Sequence, residues 1–169
     1  MKNIFLIGFM GCGKSTVAEC LTKKYGMETI EMDQIIVERE KMSVSDIFAS
    51  KGEPYFRDLE TSILVEIQGQ ENKVVSCGGG VALRDRNVLE MKKNGIIVFL
   101  TARPETILER VKDDEQRPLL RGYKNIGVIQ NMLEQRRTKY EKAADMMIQT
   151  DDKDVEAICK EILDKIEGV

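Results

Sequence analysis

The residues from Gly8 to Ser15, which read G-F-M-G-C-G-K-S, constrain the fold of this chain more than any other segment. They match the P-loop pattern, in which four residues separate a glycine from Gly-Lys-Ser. An apolar run of strand length, Asn3–Ile7, precedes the motif, and a stretch of helical composition follows it and ends at Gly26. Because strand, glycine-rich loop and helix is the setting that this motif needs, the sequence predicts a phosphate-binding loop.

The motif predicts a phosphate site made largely of backbone. Its glycines let N–H groups point at phosphate oxygens, and the helix N-terminus adds a partial positive charge. Lys14 supplies a mobile cation for the β- and γ-phosphates, and the hydroxyl of Ser15 is suited to Mg²⁺. We therefore expect ATP as co-substrate and Mg²⁺ as cofactor, with ATP held by Gly11, Cys12, Gly13, Lys14, Ser15 and Thr16.

Composition excludes several other classes of protein. The 169 residues suit one domain, and the net charge of −3 argues against a nucleic-acid partner. No 18-residue apolar stretch is present, and the chain enters a strand too early for a signal peptide, so we expect no membrane association and a cytoplasmic location. The four cysteines lack C-x-x-C spacing, and the absence of histidine excludes a Ser-His-Asp triad and histidine metal sites.

Short apolar runs alternate with helical stretches, which is the pattern of an α/β fold with a parallel sheet. The predicted strands are Asn3–Ile7, Glu28–Glu31, 74–77, 96–100 and Met146–Gln149. The predicted helices are 16–25, 43–52, 54–70, 85–93, 104–112, 126–144 and 155–166.

The stretch from Asp113 to Lys124 has no period and contains Pro118 and Gly122, both of which break helices. It is long for a connection in a compact domain, and loops of this length are often lids. We place a lid at about residues 112–124, with Arg117 inside it. The alternative is an ordinary surface loop.

Two carboxylates follow the second predicted strand. Glu31 and Asp33 are two residues apart, so on a strand both face one side at its carboxyl end, where open α/β sheets bind ligands. We expect one to help hold Mg²⁺ and its waters, and the other to bind or deprotonate an acceptor hydroxyl. The third strand lacks the acid that P-loop enzymes usually keep at its end, so Glu31 is expected to take part of that role. The alternative is a solvated strand end.

Three glycines, Gly78–Gly80, follow the third strand. Such a run indicates positive φ angles or very close approach by another group, and its N–H groups suit a carboxylate or hydroxyls, with a plain turn as the alternative. Arg57 lies three residues before Glu60 on one predicted helix, so the two can pair. Because arginine binds carboxylates and phosphates bidentately, Arg57, Arg117 and Arg136 are candidate anion-binding residues.

Together these motifs resemble the shikimate kinases over nearly the whole chain. The matching pieces are the P-loop, Asp33 after the second strand, G-E-P-Y-F-R-D-L-E at 52–60, C-G-G-G at 77–80, R-P-L-L at 117–120 and R-x-x-x-Y at 136–140. Many NTPases share the P-loop, whereas the other blocks in this order are specific. The resemblance implies a five-stranded parallel sheet flanked by helices, like that of nucleoside monophosphate kinases. It also implies a mobile lid and a substrate-binding region at about residues 32–60.

The resemblance further implies an activity, the transfer of the γ-phosphate of ATP to the 3-hydroxyl of shikimate. The product, shikimate 3-phosphate, belongs to chorismate and aromatic amino acid biosynthesis. The implied shikimate-binding residues are Asp33, Arg57, Gly78, Gly79, Gly80 and Arg136, with Glu60 orienting Arg57. The implied catalytic residues are Lys14, Asp33 and Arg117, and the ATP site is completed by Arg110, Arg117 and Asp152.

Two departures from the family pattern stand out. The family usually has Asp-x-Asp after its second strand, where this chain has Glu31-Met32-Asp33, and the segment 150–154 lacks the usual proline a few residues on. A longer carboxylate still reaches a metal-bound water, so we expect Mg²⁺ on Ser15 and, through water, on Glu31.

Two alternatives stay open at this point. Instead of a shikimate kinase, the chain could be another small-molecule kinase, such as a gluconate kinase, or a catalytically inactive nucleotide-binding regulatory paralogue. No coiled-coil heptads are present, and a monomer is expected.

Overall fold

In the computed structural model, residues 1–111 and 126–168 are described, and they form a five-stranded sheet flanked by helices. The strands are β1 (Asn3–Ile7), β2 (Glu28–Glu31), β3 (Lys73–Ser76), β4 (Gly95–Thr101) and β5 (Met146–Gln149). The helices are α1 (Lys14–Tyr25), α2 (Met32–Glu40), α3 (Val44–Lys51), α4 (Glu53–Ile67), α5 (Asp85–Asn94), α6 (Pro104–Val111), α7 (Ile126–Ala143) and α8 (Val155–Glu167), with a 3₁₀ turn at Val81–Leu83. In these two ranges, no helix combines the length and the apolar character that crossing a membrane requires.

The sheet is parallel throughout, with the spatial order β2-β3-β1-β4-β5. The chain runs from the central β1 to one side for β2 and β3, and then crosses to the other side for β4 and β5. The order therefore reverses beside β1, and in open α/β sheets the crevice at the carboxyl ends of the strands at such a point holds the ligand. The loops that leave β1 and β3 carry the P-loop and Gly78–Gly80, which from here on is called the glycine segment.

The alternation of side chains along β1 divides the core into two layers. Phe5 and Ile7 pack with buried residues of α2, α3, α4, α5 and α7, whereas Ile4 and Leu6 pack on the other face with α1 and α8. All five residues of β1 are buried, so its apolar run reads as that of a strand covered on both faces. Packing on both faces fixes the position of β1, and with it the point at which the P-loop leaves the sheet.

The predicted strands and helices are confirmed, with shifts of one to three residues at some ends. Local signals account for several boundaries. The hydroxyl of Ser43 accepts a hydrogen bond from the backbone N–H of Asp46 at 3.1 Å and caps α3, as its spacing predicted. Gly26 ends α1 with φ at 69°, a conformation that favours glycine.

The sequence did not predict α2, and the strand geometry expected for Glu31 and Asp33 is wrong. β2 ends at Glu31 and α2 begins at Met32, so Asp33 lies in the first turn of a helix. Met32 and Ile36, one helical turn apart, are both buried, and this packing of one helix face overrides an extended continuation. The predicted lid, with Arg117, lies outside the described residues.

Candidate active site

The P-loop has the backbone geometry that an anion site requires. Gly8, Gly11 and Gly13 have φ angles of 143°, 80° and 100°, values that residues other than glycine rarely adopt. A Cβ at Gly8 would also lie 2.5 Å from the Leu100 carbonyl oxygen. Because α1 begins at Lys14, the first N–H groups of the helix have no partner within it and face the loop. The local backbone thus has the conformation that the predicted phosphate cradle requires.

Two cations flank this loop. Lys14 Nζ donates to the carbonyl oxygens of Gly8, at 2.6 Å, and of Phe9, at 3.4 Å, and so lies across the loop. On the other side, Arg110 Nη1 donates to the Gly11 carbonyl at 2.9 Å and lies 3.3 Å from Thr150 Oγ1. The loop is therefore held between one cation from its own helix and another from α6.

Three side-chain oxygens meet at the start of α1. Ser15 Oγ donates to Glu31 Oε2 at 3.2 Å and lies 3.5 Å from Ser76 Oγ. The pairing of β2 with β3 places Glu31 directly opposite Ser76, which explains how both reach the same hydroxyl. Hydroxyl and carboxylate oxygens are the ligands that Mg²⁺ prefers, so these residues fit the metal that the motif predicts.

A cleft of about 1250 Å³ opens beside these groups, between the P-loop, α2, α3 and the end of β3. Among the predicted site residues, its lining includes Gly11, Gly13, Lys14, Ser15, Thr16, Glu31, Asp33, Gly78, Gly79 and Arg110. The remaining predicted residues that the structure describes lie outside this lining. Cys12 is buried, with its carbonyl 3.1 Å from Thr150 Oγ1, while Arg57, Gly80 and Arg136 meet at the glycine segment.

Asp33, Arg57, Glu60 and Arg136 form a group that we call the charged cluster. Arg57 Nη1 donates to Glu60 Oε1 at 2.8 Å, which confirms the predicted pairing, and Arg57 Nη2 donates to Glu53 at 3.1 Å. Glu60 is completely buried. Burial raises the pKa of its carboxyl to about 7, against the opposing effect of Arg57 and with a further contribution from the negative charge of Asp33.

The glycine segment is explained by close approach and not by unusual φ angles, since none of its three residues has a positive φ. A Cβ at Gly78 would lie 2.6 Å from Glu60 Oε2 and 3.1 Å from Asp33 Oδ1. At Gly80 it would lie 2.6 Å from Arg57 Nη2, and at Gly79 it would lie 3.4 Å from Arg136 Nη1. Only glycine lets the charged cluster approach this backbone so closely.

Three polar atoms of the charged cluster have unused hydrogen-bonding capacity. Asp33 Oδ1, Glu60 Oε2 and Arg136 Nη1 are buried and have no partner within the described residues. Buried polar atoms are normally paired, so two acceptors and one donor that all face the glycine segment indicate a polar ligand. Arg136 also lies over the ring of Phe9 in the P-loop, 5.5 Å from its centre, which connects the charged cluster to the phosphate cradle.

The structure separates Asp152 from the cleft. Its side chain is exposed and pairs with Arg103 at 3.2 Å, whereas the neighbouring Asp151 is buried and accepts hydrogen bonds from the Arg103 backbone N–H and the Thr106 hydroxyl. The role of Asp152 in ATP binding stays a prediction. Arg117, the other residue predicted at the nucleotide, lies outside the described residues.

Sequence reasoning gave no role to Tyr140, although it ends the R-x-x-x-Y block. Its hydroxyl donates to the Gly79 carbonyl oxygen at 2.5 Å, and the side chain is 1% exposed. The signal was its position one helical turn after Arg136, since residues four apart on a helix share a face. Tyr140 thus anchors the glycine segment from α7.

Comparisons with known proteins agree with this geometry. The shikimate kinase family model matches residues 10–167. A shikimate kinase of Sulfurihydrogenibium sp. (strain YO3AOP1) is 45% identical over 166 residues, which cover 98% of each chain.

The chain belongs to the shikimate kinase family. Among solved structures, a shikimate kinase from Acinetobacter baumannii in complex with shikimate superposes with a TM-score of 0.94 at 31% identity, covering 99% of this chain and 94% of that one. A shikimate kinase from Aquifex aeolicus superposes with a TM-score of 0.84 at 40% identity, covering 98% of this chain and 96% of that one. The predicted family, its fold and the enzyme class, an ATP-dependent small-molecule kinase, are confirmed.

Proposed function

We propose that the chain transfers the γ-phosphate of ATP to the 3-hydroxyl of shikimate. The observation that carries the proposal is a set of buried atoms beside the P-loop that have no partner among residues 1–111 and 126–168: two carboxylate oxygens, from Asp33 and Glu60, and one guanidinium nitrogen, from Arg136. Shikimate offers hydroxyls to the acceptors and a carboxylate to the donor. Asp33 lines the same cleft as Lys14 and Ser15 of the P-loop, which supports a donor and an acceptor that lie side by side.

The nucleotide half works through charge and position. Phosphoryl transfer asks the protein for alignment and neutralisation more than for covalent chemistry. The N–H groups at the start of α1 hold the phosphate oxygens, and Lys14, now hydrogen-bonded to Gly8 and Phe9, swings to the β- and γ-phosphates. Arg110 lies beside Gly11 and Gly13, which supports its proposed place at the flank of the nucleotide.

The acceptor half holds the carboxylate between Arg57, Arg136 and the N–H groups of the glycine segment. Glu60 fixes the guanidinium of Arg57 in one orientation through their 2.8 Å hydrogen bond. Asp33 accepts the hydrogen of the attacking hydroxyl and orients its oxygen at the γ-phosphate. A variant with Asp33→Asn separates the two possible contributions of this carboxylate, because it keeps the alignment and loses the basicity. A kcat close to that of the wild-type protein would show that alignment is enough.

Mg²⁺ fits the oxygen set at Ser15, and it neutralises the charge that develops on the phosphates when it is bound. Ser15 would be its direct ligand, and Glu31 would hold it through water. The longer side chain of Glu31, in place of the family's usual aspartate, already contacts Ser15, which supports a metal site of this kind.

Arg117 and Asp152 complete the assignment as predictions from the family pattern. Arg117 stabilises the transferring phosphoryl group from the lid, and Asp152 lies near the adenine. A kcat for Arg117→Ala within about twofold of wild type would remove the lid arginine from the mechanism.

The setting of the enzyme is also a proposal. All four cysteines are free and buried, which suits the reducing environment of the cytoplasm. We propose that a single-domain monomer acts there on shikimate, without nucleic acid or membrane partners. Sedimentation velocity of the purified protein with MgATP tests the monomer.

A coupled ADP-release assay tests the function. With MgATP, it compares shikimate with gluconate, AMP and no acceptor, and turnover with shikimate alone is the expected result. Fast turnover with gluconate would favour the other small-molecule kinase, and ATP binding without turnover would favour a regulatory paralogue. Two adjacent arginines of α7 provide matched variants. Arg136→Lys should raise the shikimate KM, whereas Arg137→Lys should not, because exposed Arg137 pairs with Glu141 at 2.8 Å.

A further inference from the structure

A buried polar network connects α4 with the chain that follows the glycine segment. Thr61 on α4 and Asn87 on α5 are 5% and 1% exposed. Thr61 Oγ1 donates to Asn87 Oδ1 at 2.7 Å, and Asn87 Nδ2 donates to the Val81 carbonyl oxygen at 3.0 Å. Because Val81 directly follows Gly80, two hydrogen bonds link the helix that bears Arg57 to the glycine segment.

The network has a defined direction. Arg84 Nη1 donates to Thr61 Oγ1 at 3.0 Å. The hydroxyl of Thr61 has one hydrogen and two acceptors in reach, Asn87 Oδ1 at 2.7 Å and the Arg57 carbonyl oxygen at 3.2 Å, and we assign the hydrogen to the closer one, Asn87. Hydrogen bonds therefore run from Arg84 through Thr61 and Asn87 to Val81. Within this buried run, both polar atoms of the Asn87 amide are satisfied, and such networks hold their elements in one arrangement.

The distance that the network holds is critical at Gly80. A Cβ at this position would lie 2.6 Å from Arg57 Nη2, so the guanidinium rests directly against the backbone. Thr61 lies one helical turn after Arg57 and directly after Glu60, which fixes the guanidinium. A shift of α4 against the glycine segment would therefore move Arg57 relative to the N–H groups with which it shares the acceptor carboxylate.

We propose that Thr61, Asn87 and Arg84 form a positioning network that sets the spacing between Arg57 and the glycine segment, and thereby the affinity for the carboxylate of the acceptor. These residues are not part of the cleft lining and act through Arg57. The inference rests on the proposed function in one respect, since it takes Arg57 as a residue that binds the acceptor carboxylate.

Thr61→Val tests the network, because valine keeps the shape of threonine and removes the hydroxyl. We expect the KM for shikimate to rise about tenfold, as loss of one buried hydrogen bond allows, with kcat and the KM for ATP within about twofold of wild type. Thr61→Ser, which keeps the hydroxyl, should have the shikimate KM of the wild-type protein. Ser62→Ala is the matched control, because Ser62 is the next residue of α4, is exposed and bonds only to the Asp58 carbonyl of its own helix.

A double-mutant cycle with Arg57→Lys separates action through Arg57 from a general structural role. If Thr61 acts through Arg57, Thr61→Val should raise the shikimate KM less than about twofold in the Arg57→Lys background. A full tenfold rise in that background would overturn the proposal, as would a lower melting temperature with an unchanged shikimate KM. Arg84→Gln, at a partly exposed residue, gives a second variant that retains the buried core and should raise the shikimate KM in the same direction.

The same measurements distinguish failure of the inference from failure of the proposed function. If Arg57→Lys alone leaves the shikimate KM unchanged, Arg57 does not bind the carboxylate, and the proposed function of the cluster is wrong. If Arg57→Lys raises this KM and Thr61→Val does not, the cluster binds as proposed and the network does not position it. Calorimetric titration of shikimate into each variant provides a readout that is independent of turnover.

Discussion

The two halves of the candidate site are formed by different kinds of chemical group. On the nucleotide side, backbone N–H groups, glycines with positive φ and the end of α1 form the cradle, and the side chains of Lys14 and Arg110 flank it. On the acceptor side, the proposed binding atoms belong to charged side chains from three helices, α2, α4 and α7. One half is thus determined by local conformation, and the other by distances between elements far apart in the sequence.

This difference affects how each half responds to pH and how well it tolerates substitutions. Backbone amides do not titrate, and their positions follow from the loop itself. In the charged cluster, a buried carboxyl titrates near neutrality, and the glycine segment leaves no room for a methyl group at Gly78 or Gly80. We therefore expect the acceptor side to respond to small changes of charge and spacing, and the nucleotide side to depend on its few side-chain cations.

Lys14→Met should have the largest effect on activity, and it tests how much the backbone cradle can do without a charged side chain. Amide dipoles do not supply a full charge, so without Lys14 the transferring phosphoryl group loses its mobile cation. We expect kcat to fall about 10³-fold, the size typical of a lost electrostatic stabiliser. Steady-state assays with saturating MgATP and shikimate measure it.

Lys24→Met is the control for this change. Lys24 lies near the other end of α1, where it pairs with Glu156 at 2.7 Å on the surface, and its loss should leave kcat unchanged. A decrease of less than tenfold for Lys14→Met would mean that the backbone alone carries the nucleotide half, and the contrast between the two halves would be sharper than we propose.

Glu60 gives the acceptor side a contribution to stability that depends on pH. Folding raises the pKa of its carboxyl from 4.5 to about 7, because burial disfavours the charged form. The folded state then binds this proton more tightly than the unfolded state, so the contribution of Glu60 to the free energy of unfolding decreases as pH rises from about 4.5 to about 7 and changes no further above that range. The shift corresponds to about 3 kcal/mol.

Glu60→Gln removes this titration. We expect the difference in unfolding free energy between the variant and the wild-type protein to change by about 3 kcal/mol between about pH 4.5 and about pH 7, with the wild type losing relative stability as pH rises. Urea denaturation across this range measures it. Glu66→Gln, on the exposed side of the same helix, should show no such loss, because Arg39 lowers the pKa of Glu66. Parallel curves for Glu60→Gln and the wild type would contradict the prediction.

Gly80→Ala tests spacing without changing charge. Its methyl group would occupy the position of the Arg57 guanidinium, so Arg57 must move away from the glycine segment. Loss of a charge-assisted hydrogen bond to the acceptor should raise the KM for shikimate about 30-fold and leave the KM for ATP unchanged. In Gly168→Ala, the added Cβ would lie at an ordinary 3.4 Å from Asp164, and both constants should stay at their wild-type values. Equal effects on the two KM values would mean that the halves are not independent.

The contrast also explains what the sequence predicted and what it did not. The P-loop, α1 and the strand that feeds them are local features, and an eight-residue motif was enough to predict them. The pairing of Arg57 with Glu60 was also local, since the two lie three residues apart on one helix. The apolar runs predicted the sheet because central parallel strands are buried on both faces.

The errors arose where distant packing decides the structure. A helix begins at Met32 because the side chains of Met32 and Ile36 pack into the core. The short segment Glu31-Met32-Asp33 contains no local signal for the start of a helix. The reason for the glycine segment was open between positive φ and close approach, because the groups that approach it lie on α2, α4 and α7. Sequence patterns named Asp33, Arg57 and Arg136 as candidates one by one, but only the family resemblance assigned them to one acceptor site.

Tyr140→Phe should have the smallest effect, and it tests whether the glycine segment needs an anchor from α7. The change removes one hydrogen bond, from the buried hydroxyl to the Gly79 carbonyl oxygen, and leaves the packing of the ring against Phe99 in place. The loss of one neutral hydrogen bond should raise the shikimate KM about fivefold, with kcat and the ATP KM unchanged. Tyr25→Phe, at an exposed tyrosine, is the matched control. If Tyr140→Phe left the shikimate KM unchanged, the contacts with Arg57 and Glu60 and the hydrogen bonds through Thr61 and Asn87 would be enough to hold the glycine segment, and the acceptor side would depend on α4 more than on α7.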